Sequence, residues 1–168
     1  MSFCAPVAPE HSTRLIIPCR WNPESGTLVI GDQLISEWTH ADWSSATSVD
    51  AELAIAEPYT AFEAGMTYGE AIIHNQDVIN GRVALIGRGS TTFVAKAQAA
   101  EQAGAVAVII VNNDQADPDA VIEMTASSGT ADIPVLMISY NEGARVLDLG
   151  SGSSVVLSGM RVNRDPLL

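Results

Sequence analysis

Runs of uninterrupted apolar residues alternate with short polar or glycine-rich stretches along this chain. Val83-Ala84-Leu85-Ile86 carries apolar side chains on both sides of an extended backbone, a pattern that predicts a central strand covered on two faces. Ala105 to Val111 and Ile133 to Ile138 read the same way. Between the first two lies a segment of helical period. Phe93, Ala97, Ala100 and Gly104 share one face, and Lys96, Gln98, Glu101 and Gln102 fall elsewhere. A threonine at 92 suits the start of that helix, where its hydroxyl accepts from a free N–H. Gly104 suits the left-handed position past its end. Strand, glycine turn, helix and strand over residues 81–113 therefore form the best-defined unit of the chain.

The same reading places further elements around this unit. Leu15-Ile16-Ile17 is a candidate short strand, and Thr27 to Ile30 is a second, bounded by Gly26 and Gly31. Leu34 to Trp38 extends it or pairs with it, and residues 39–50 read as an exposed loop. Ala51 to Ala56 fits helix or strand and ends before Pro58. Ala71-Ile72-Ile73-His74 reads as a strand, and residues 78–81 as a turn. Residues 112–132 form an acidic, turn-rich segment whose length marks it as a functional candidate, with a short strand or turn near Val121-Ile122. Pro134 places the first residues of the next strand at a sheet edge or a strand start. Ser139 and Glu142 make a capping box for a helix Tyr140 to Leu149 that stops at Gly150. Ser154 to Ser158 is a last strand, and 161–168 a surface extension. No repeat and no composition shift marks a linker, so residues 1–168 read as one domain.

Charge narrows the partners. Twenty acids face eight bases, a formal net charge of −12 in 168 residues. Such a field repels phosphate backbones and anionic lipid surfaces, which excludes nucleic acid as the expected partner. No run reaches the roughly 18 apolar residues of a membrane span. Residues 1–10 lack the basic and apolar regions of a signal peptide. That points to the cytoplasm, or to a secretory or extracellular site if a leader has been removed. Cys4 and Cys19 are the only cysteines. They either close a short N-terminal loop as a disulfide or remain two thiols.

Candidate chemistry is sparse. In Gly87-Arg88-Gly89-Ser90-Thr91-Thr92, a glycine turn entering a helix offers N–H groups and hydroxyls to an anion, and Arg88 can grip a carboxylate or phosphate with two bonds. The phosphate-loop and dinucleotide fingerprints are not met. The plainer account is that Arg88 pairs with an acid while Gly89 permits the turn. Glu57, Tyr59 and Glu63 are expected to wall a groove beside it. In Trp38-Thr39-His40-Ala41-Asp42-Trp43, His40 and Asp42 can share a face at period two, the raw material of a base or metal ligand. No nucleophile elbow accompanies them. The plainer account has the tryptophans pinning a loop to the core; exposed, they would anchor an interface. Asp114, Asp117, Asp119 and Glu123 invite a calcium reading, but the EF-hand spacing is missing, and a solvated acidic loop is the simpler view. No cofactor and no metal site is expected.

Residues 81–113 resemble the core of the protease-associated (PA) domain family. The family pattern is Gly-Lys/Arg, an apolar strand, Arg-Gly-x-Cys-x-Phe, a Lys-Ala helix, Ala-Gly-Ala and an apolar strand ending in Asn. Here those places hold Gly81-Arg82, Val83 to Ile86, Arg88 to Phe93, Lys96-Ala97, Ala103-Gly104-Ala105 and Val106 to Asn113. The Ile133 to Ser139 strand and the following helix match too. The resemblance covers about residues 50–160, with the first fifty matching less clearly. It implies an α/β fold: a bent mixed sheet or open barrel of six to seven strands flanked by short helices. Thr91 stands where the family has a cysteine, which excludes a disulfide from that site. The family's role is protein or peptide interaction, as an accessory to other domains and without catalysis of its own. The expected function is therefore a non-catalytic interaction module, with a homodimer as one partner arrangement. Contacts are expected from Arg88, Gly89, Ser90, Thr91 and Thr92, from Trp38, His40, Trp43 and Tyr59, and from the 112–132 loop. The alternative is a small hydrolase, or a small-molecule or ion-binding protein, using the His40/Asp42 and Arg88 regions.

Overall fold

Residues 26–160 are described in the computed structural model. In chain order they form β1 (Thr27–Ile30), β2 (Gln33–Ile35), β3 (Trp38–His40), β4 (Val49–Ile55), α1 (Gln76–Ile79), β5 (Val83–Gly87), α2 (Phe93–Gln102), β6 (Ala107–Val111), β7 (Val135–Ile138), α3 (Tyr140–Leu149) and β8 (Ser154–Ser158). The candidate strand Leu15-Ile16-Ile17, both cysteines and the 161–168 tail lie outside the described residues.

The eight strands make one sheet in the order β2-β1-β8-β4-β5-β6-β7-β3, bent into a nearly closed barrel. Its centre is parallel. β4, β5, β6 and β7 run the same way, with Leu53 beside Val83, Ala84 beside Val108 and Ile109 beside Leu136. Parallel neighbours need crossovers, and α2 supplies the one between β5 and β6. The outer strands are antiparallel. β8 returns between β4 and β1, and it sets Ser158 opposite Thr27. Gly26 lies so near Met160 that a Cβ on it would come within 2.8 Å of the methionine side chain. The two ends of the described chain therefore leave from one place.

The doubly apolar strands have the predicted result. All five residues of β5 and of β6 are buried, as are the four of β7. Alternate side chains feed two cores. Val83, Leu85, Ile109, Leu136 and Ile138 point inward with Leu28, Ile30, Leu53, Trp38 and Val146 of α3. Ala84, Ile86, Val108, Ile110 and Met137 point outward, under Ala97 and Ala100 of α2 and Ile79 of α1. Each large apolar side chain fully withdrawn from water stabilises by about 1.5–3 kcal/mol. The small residues on α2 set how close it lies to the sheet. On the other side, α3 also lies close to the sheet. A Cβ on Gly143 would sit 2.0 Å from Val111 Cγ1, so only glycine permits this contact.

Several local expectations need correcting. Residues 39 and 40 are not loop: with Trp38 they form the edge strand β3, paired to β7 with Trp38 opposite Ile138. Residues 49 and 50 already belong to β4, which resolves the 51–56 ambiguity as strand. Ala71 to His74 is irregular rather than a strand. Its backbone instead bonds to the preceding loop, Ile72 N–H to Ala61 O and His74 N–H to Glu57 O, which still lets Ile73 reach the outer core. Lys96 is not on a solvated face: it is fully buried. Its Nζ donates to Thr60 O, tying α2 to the loop before α1. Burial lowers that ammonium to about 8. Both helix caps form as expected. Thr92 Oγ1 accepts from Ala95 N–H at 3.1 Å and Ser139 Oγ from Glu142 N–H at 3.1 Å.

Candidate functional site

In sheets with parallel strands, ligands favour the carboxyl ends of those strands. Here that end holds a pocket of about 160 Å³, lined by Tyr59, Gly87, Arg88, Val111, Asn112, Asn113, Tyr140, Ala144 and Leu147. Gly87 and Val111 are the last residues of β5 and β6. Tyr140, Ala144 and Leu147 come from α3, one helical stripe at spacings of four and three. Tyr59 closes the opposite wall. Its carbonyl accepts from Gly87 N–H at 2.8 Å, and its ring lies where a Cβ on Gly87 would be, 2.6 Å from Cε1. Glycine at 87 is thus what lets the tyrosine ring lie against the strand end. Burial raises the Tyr59 phenol to about 12, so it remains protonated at neutral pH.

Arg88 is the charge of this pocket. Its N–H continues the ladder to Val111 O at 2.9 Å. Its Nη1 donates to Asn112 Oδ1 at 2.8 Å. Asn112 is a buried hub: the same Oδ1 accepts from Asn113 N–H, its Nδ2 donates to Ala120 O, and its own N–H reaches Ile138 O. The guanidinium is therefore oriented by a fixed amide, not by an acid. Among the described residues, no carboxylate comes within 4.0 Å of it to form an ion pair. The expected acid partner of Arg88 is replaced by Asn112. The pocket presents a half-buried cation beside apolar walls, and among the described residues no acidic, histidine, serine or cysteine side chain lines it.

A sequence model described as the PA domain matches residues 45–146, well over half of the chain. The chain belongs to the PA domain family. Relatives carry the same unit as a small part of a longer protein. Signal peptide peptidase-like 2 of Arabidopsis thaliana is 33% identical over 88 residues, 52% of this chain and 16% of that protein. ER degradation-enhancing alpha-mannosidase-like protein 3 of Xenopus laevis is 30% identical over 102 residues, 57% of this chain and 10% of that protein. Among solved structures, BSAP, a zinc aminopeptidase from Bacillus subtilis, superposes with a TM-score of 0.60 at 30% identity. The match covers 79% of this chain and 30% of that one. An aminopeptidase from Aneurinibacillus sp. strain AM-1 gives 0.55 at 29% identity, over 80% and 30%. This chain thus spans less than a third of each of these proteins.

The remaining candidate residues of this PA domain are placed as follows. Gly89 and Ser90 form the turn after Arg88, both with positive φ, +111° and +70°. Thr91 is buried, and its Oγ1 accepts from Gly69 N–H at 3.0 Å. Thr92 is occupied as the α2 cap. The two threonine hydroxyls therefore hold the frame. Trp38 is buried in the inner core. Trp43 packs on the outer core, and its Nε1 donates to Met124 O at 2.8 Å. His40 Nε2 lies 2.8 Å from Ser45 O and 3.0 Å from Ser44 Oγ. A carbonyl can only accept, so Nε2 carries the hydrogen. Ser44 Oγ in turn donates to Ala41 O and accepts from Val135 N–H. This is a turn-fastening network, and in it Nε2 has no lone pair with which to take a proton from Ser44. Asp42 is exposed.

The acidic 112–132 segment is strapped down along its length. Thr39 Oγ1 donates to Ile122 O, Gln98 to Thr130 O and Asn141 to Asp119, while Ala131 N–H reaches Trp43 O and Met124 is buried. Among the described residues, no three His, Cys, Asp or Glu side chains gather as metal ligands. Glu63 pairs with His74, and neither Glu57 nor Glu63 lines the pocket. The pocket residues that sequence reasoning passed over are Val111, Tyr140, Ala144 and Leu147. Asn112 and Asn113 were expected to make contacts, but as the start of the 112–132 loop and not as the end of a strand beside Arg88. The α3 stripe had no signal, because it meets Arg88 only through the fold.

Proposed function

We propose that residues 1–168 form one PA domain that acts as a non-catalytic protein- or peptide-interaction module, with its ligand held in the Arg88–Tyr59–Tyr140 pocket. The observation that carries this reading is Arg88 itself. A half-buried cation with no ion-pairing carboxylate among the described residues, in a chain of net charge −12, is a site for a partner's negative group. The frame beneath it is rigid, because Asn112 fixes the guanidinium and Gly143 locks α3 against β6. Rigidity of this kind lowers the ordering cost of binding. Among the described residues the lining holds no carboxylate, imidazole, serine hydroxyl or thiol, and the Tyr59 phenol is held at about 12. The solved relatives are aminopeptidases, and an accessory module that contacts polypeptide chains is consistent with that setting.

A peptide library displayed on beads and panned against the 168-residue chain tests this. The expected result is recovery of a recurrent sequence motif by the wild type and its loss with Arg88→Ala. Recovery of the same motif by both proteins, or of no motif by either, overturns the reading.

A further inference from the structure

We infer that the pocket takes the carboxyl terminus of a polypeptide whose last side chain is apolar. This rests on the preceding reading and makes it more specific. Three observations lead to it. The first is size. A cavity of about 160 Å³ is close to the ~150 Å³ that accommodates a benzene ring in an apolar protein interior. It therefore holds one side chain, not a stretch of peptide. The second is lining: the Tyr59 ring, Val111, Ala144 and Leu147 give that side chain an apolar bed. The third is that Arg88 belongs to the same small pocket and has no acidic neighbour among the described residues. Asn112 engages Nη1 alone, so N–H groups of the guanidinium remain to bind a carboxylate.

The choice of a terminal carboxylate follows from the geometry of an extended peptide. Neighbouring side chains on such a chain point to opposite sides. An internal Asp or Glu beside an apolar residue would send its carboxylate away from the pocket its neighbour fills. Residues two apart share a face but stand roughly 6.5 Å from each other along the strand. That is a long reach for a cavity that holds one side chain. In a C-terminal residue, the side chain and the carboxylate leave the same Cα. Only this arrangement delivers both groups to one pocket.

The experiment titrates the 168-residue chain with labelled hexapeptides and follows fluorescence polarisation. Peptides ending in Leu as the free acid are compared with the same peptides amidated, with peptides ending in Asp, and with peptides carrying an internal Asp before an amidated Leu. The free acid ending in Leu is expected to bind at least tenfold more tightly than its amide. In Arg88→Ala that difference is expected to fall below twofold, a coupling that a merely structural arginine would not show. Ala144→Trp fills the pocket from an exposed helix position, so it is expected to abolish binding without touching the core. Equal binding of acid and amide, or an acid preference that survives Arg88→Ala, overturns the terminal-carboxylate inference while leaving a peptide-binding pocket standing. Absence of binding by every peptide, in this set and in the library, overturns both.

Discussion

The Arg88 turn and the Trp38–Trp43 segment hold the most reactive-looking side chains of the chain, and the fold uses them in opposite ways. At Arg88, a buried amide orients a cation that lines a pocket. In the tryptophan segment, Trp43 holds Met124, Thr39 holds Ile122, Ser44 holds Ala41 and Val135, and Trp38 fills the inner core. Polar groups become a site where packing leaves them pointing at space. Where they close a seam between distant segments, they serve stability. The two regions should therefore respond differently to substitution, one in folding and the other in binding.

The strongest test of that contrast is Trp38→Ala. Emptying a large aromatic site in the core is expected to cost about 3–5 kcal/mol, read as a fall in the urea midpoint. A loss under about 1 kcal/mol would remove Trp38 from the structural side of the comparison. Gly143→Ala should follow, at about 1–3 kcal/mol, because its new methyl must displace Val111. Since α3 carries one wall of the pocket, the same variant is expected to weaken peptide binding, linking packing to the site.

Lys96 supplies a pH test. Burial lowers it from 10.5 to about 8. Between those values the unfolded chain holds more protons than the folded one, so unfolding becomes harder as pH rises. Wild type is therefore expected to gain stability relative to Lys96→Met on going from pH 8 toward pH 10, by on the order of 1–3 kcal/mol. Taking the difference between the two proteins removes the opposing contribution of Tyr59. A flat difference across that window would mean that Lys96 is hydrated in solution. Trp43→Phe keeps the ring packing but loses the bond to Met124 O, and a loss of about 1 kcal/mol is expected by thermal melting. The smallest stability effect belongs to Arg88→Ala, within about 1 kcal/mol of wild type by the same melts. A much larger loss would make Arg88 a structural residue like Trp38.

What could be read directly from the residues follows the range of the forces involved. Strands β5 and β6 announce themselves because both of their faces are covered, leaving an unbroken apolar run. Thr92 and Ser139 announce helix starts because a cap acts over three residues. Lys96 misleads because charge normally marks the solvent side of a helix, and its burial depends on Thr60, 36 residues earlier in the chain. β3 is hidden for a similar reason. Three residues, of which only Trp38 is apolar, become a strand only because β7 lies alongside. The pocket divides along the same line. Arg88 and Tyr59 attract notice as residue types near a glycine turn, whereas Tyr140, Ala144 and Leu147 belong to an ordinary amphipathic helix until Gly143 lets it settle on Val111.

The opposition of Thr27 and Ser158, with Gly26 against Met160, bears on how such a unit can be transplanted. Entry and exit points one strand spacing apart, roughly 5 Å, fit between consecutive residues of a surface turn in a recipient protein without prying that turn open. The barrel can thus be spliced into the middle of a foreign sequence as readily as it can be joined to an end.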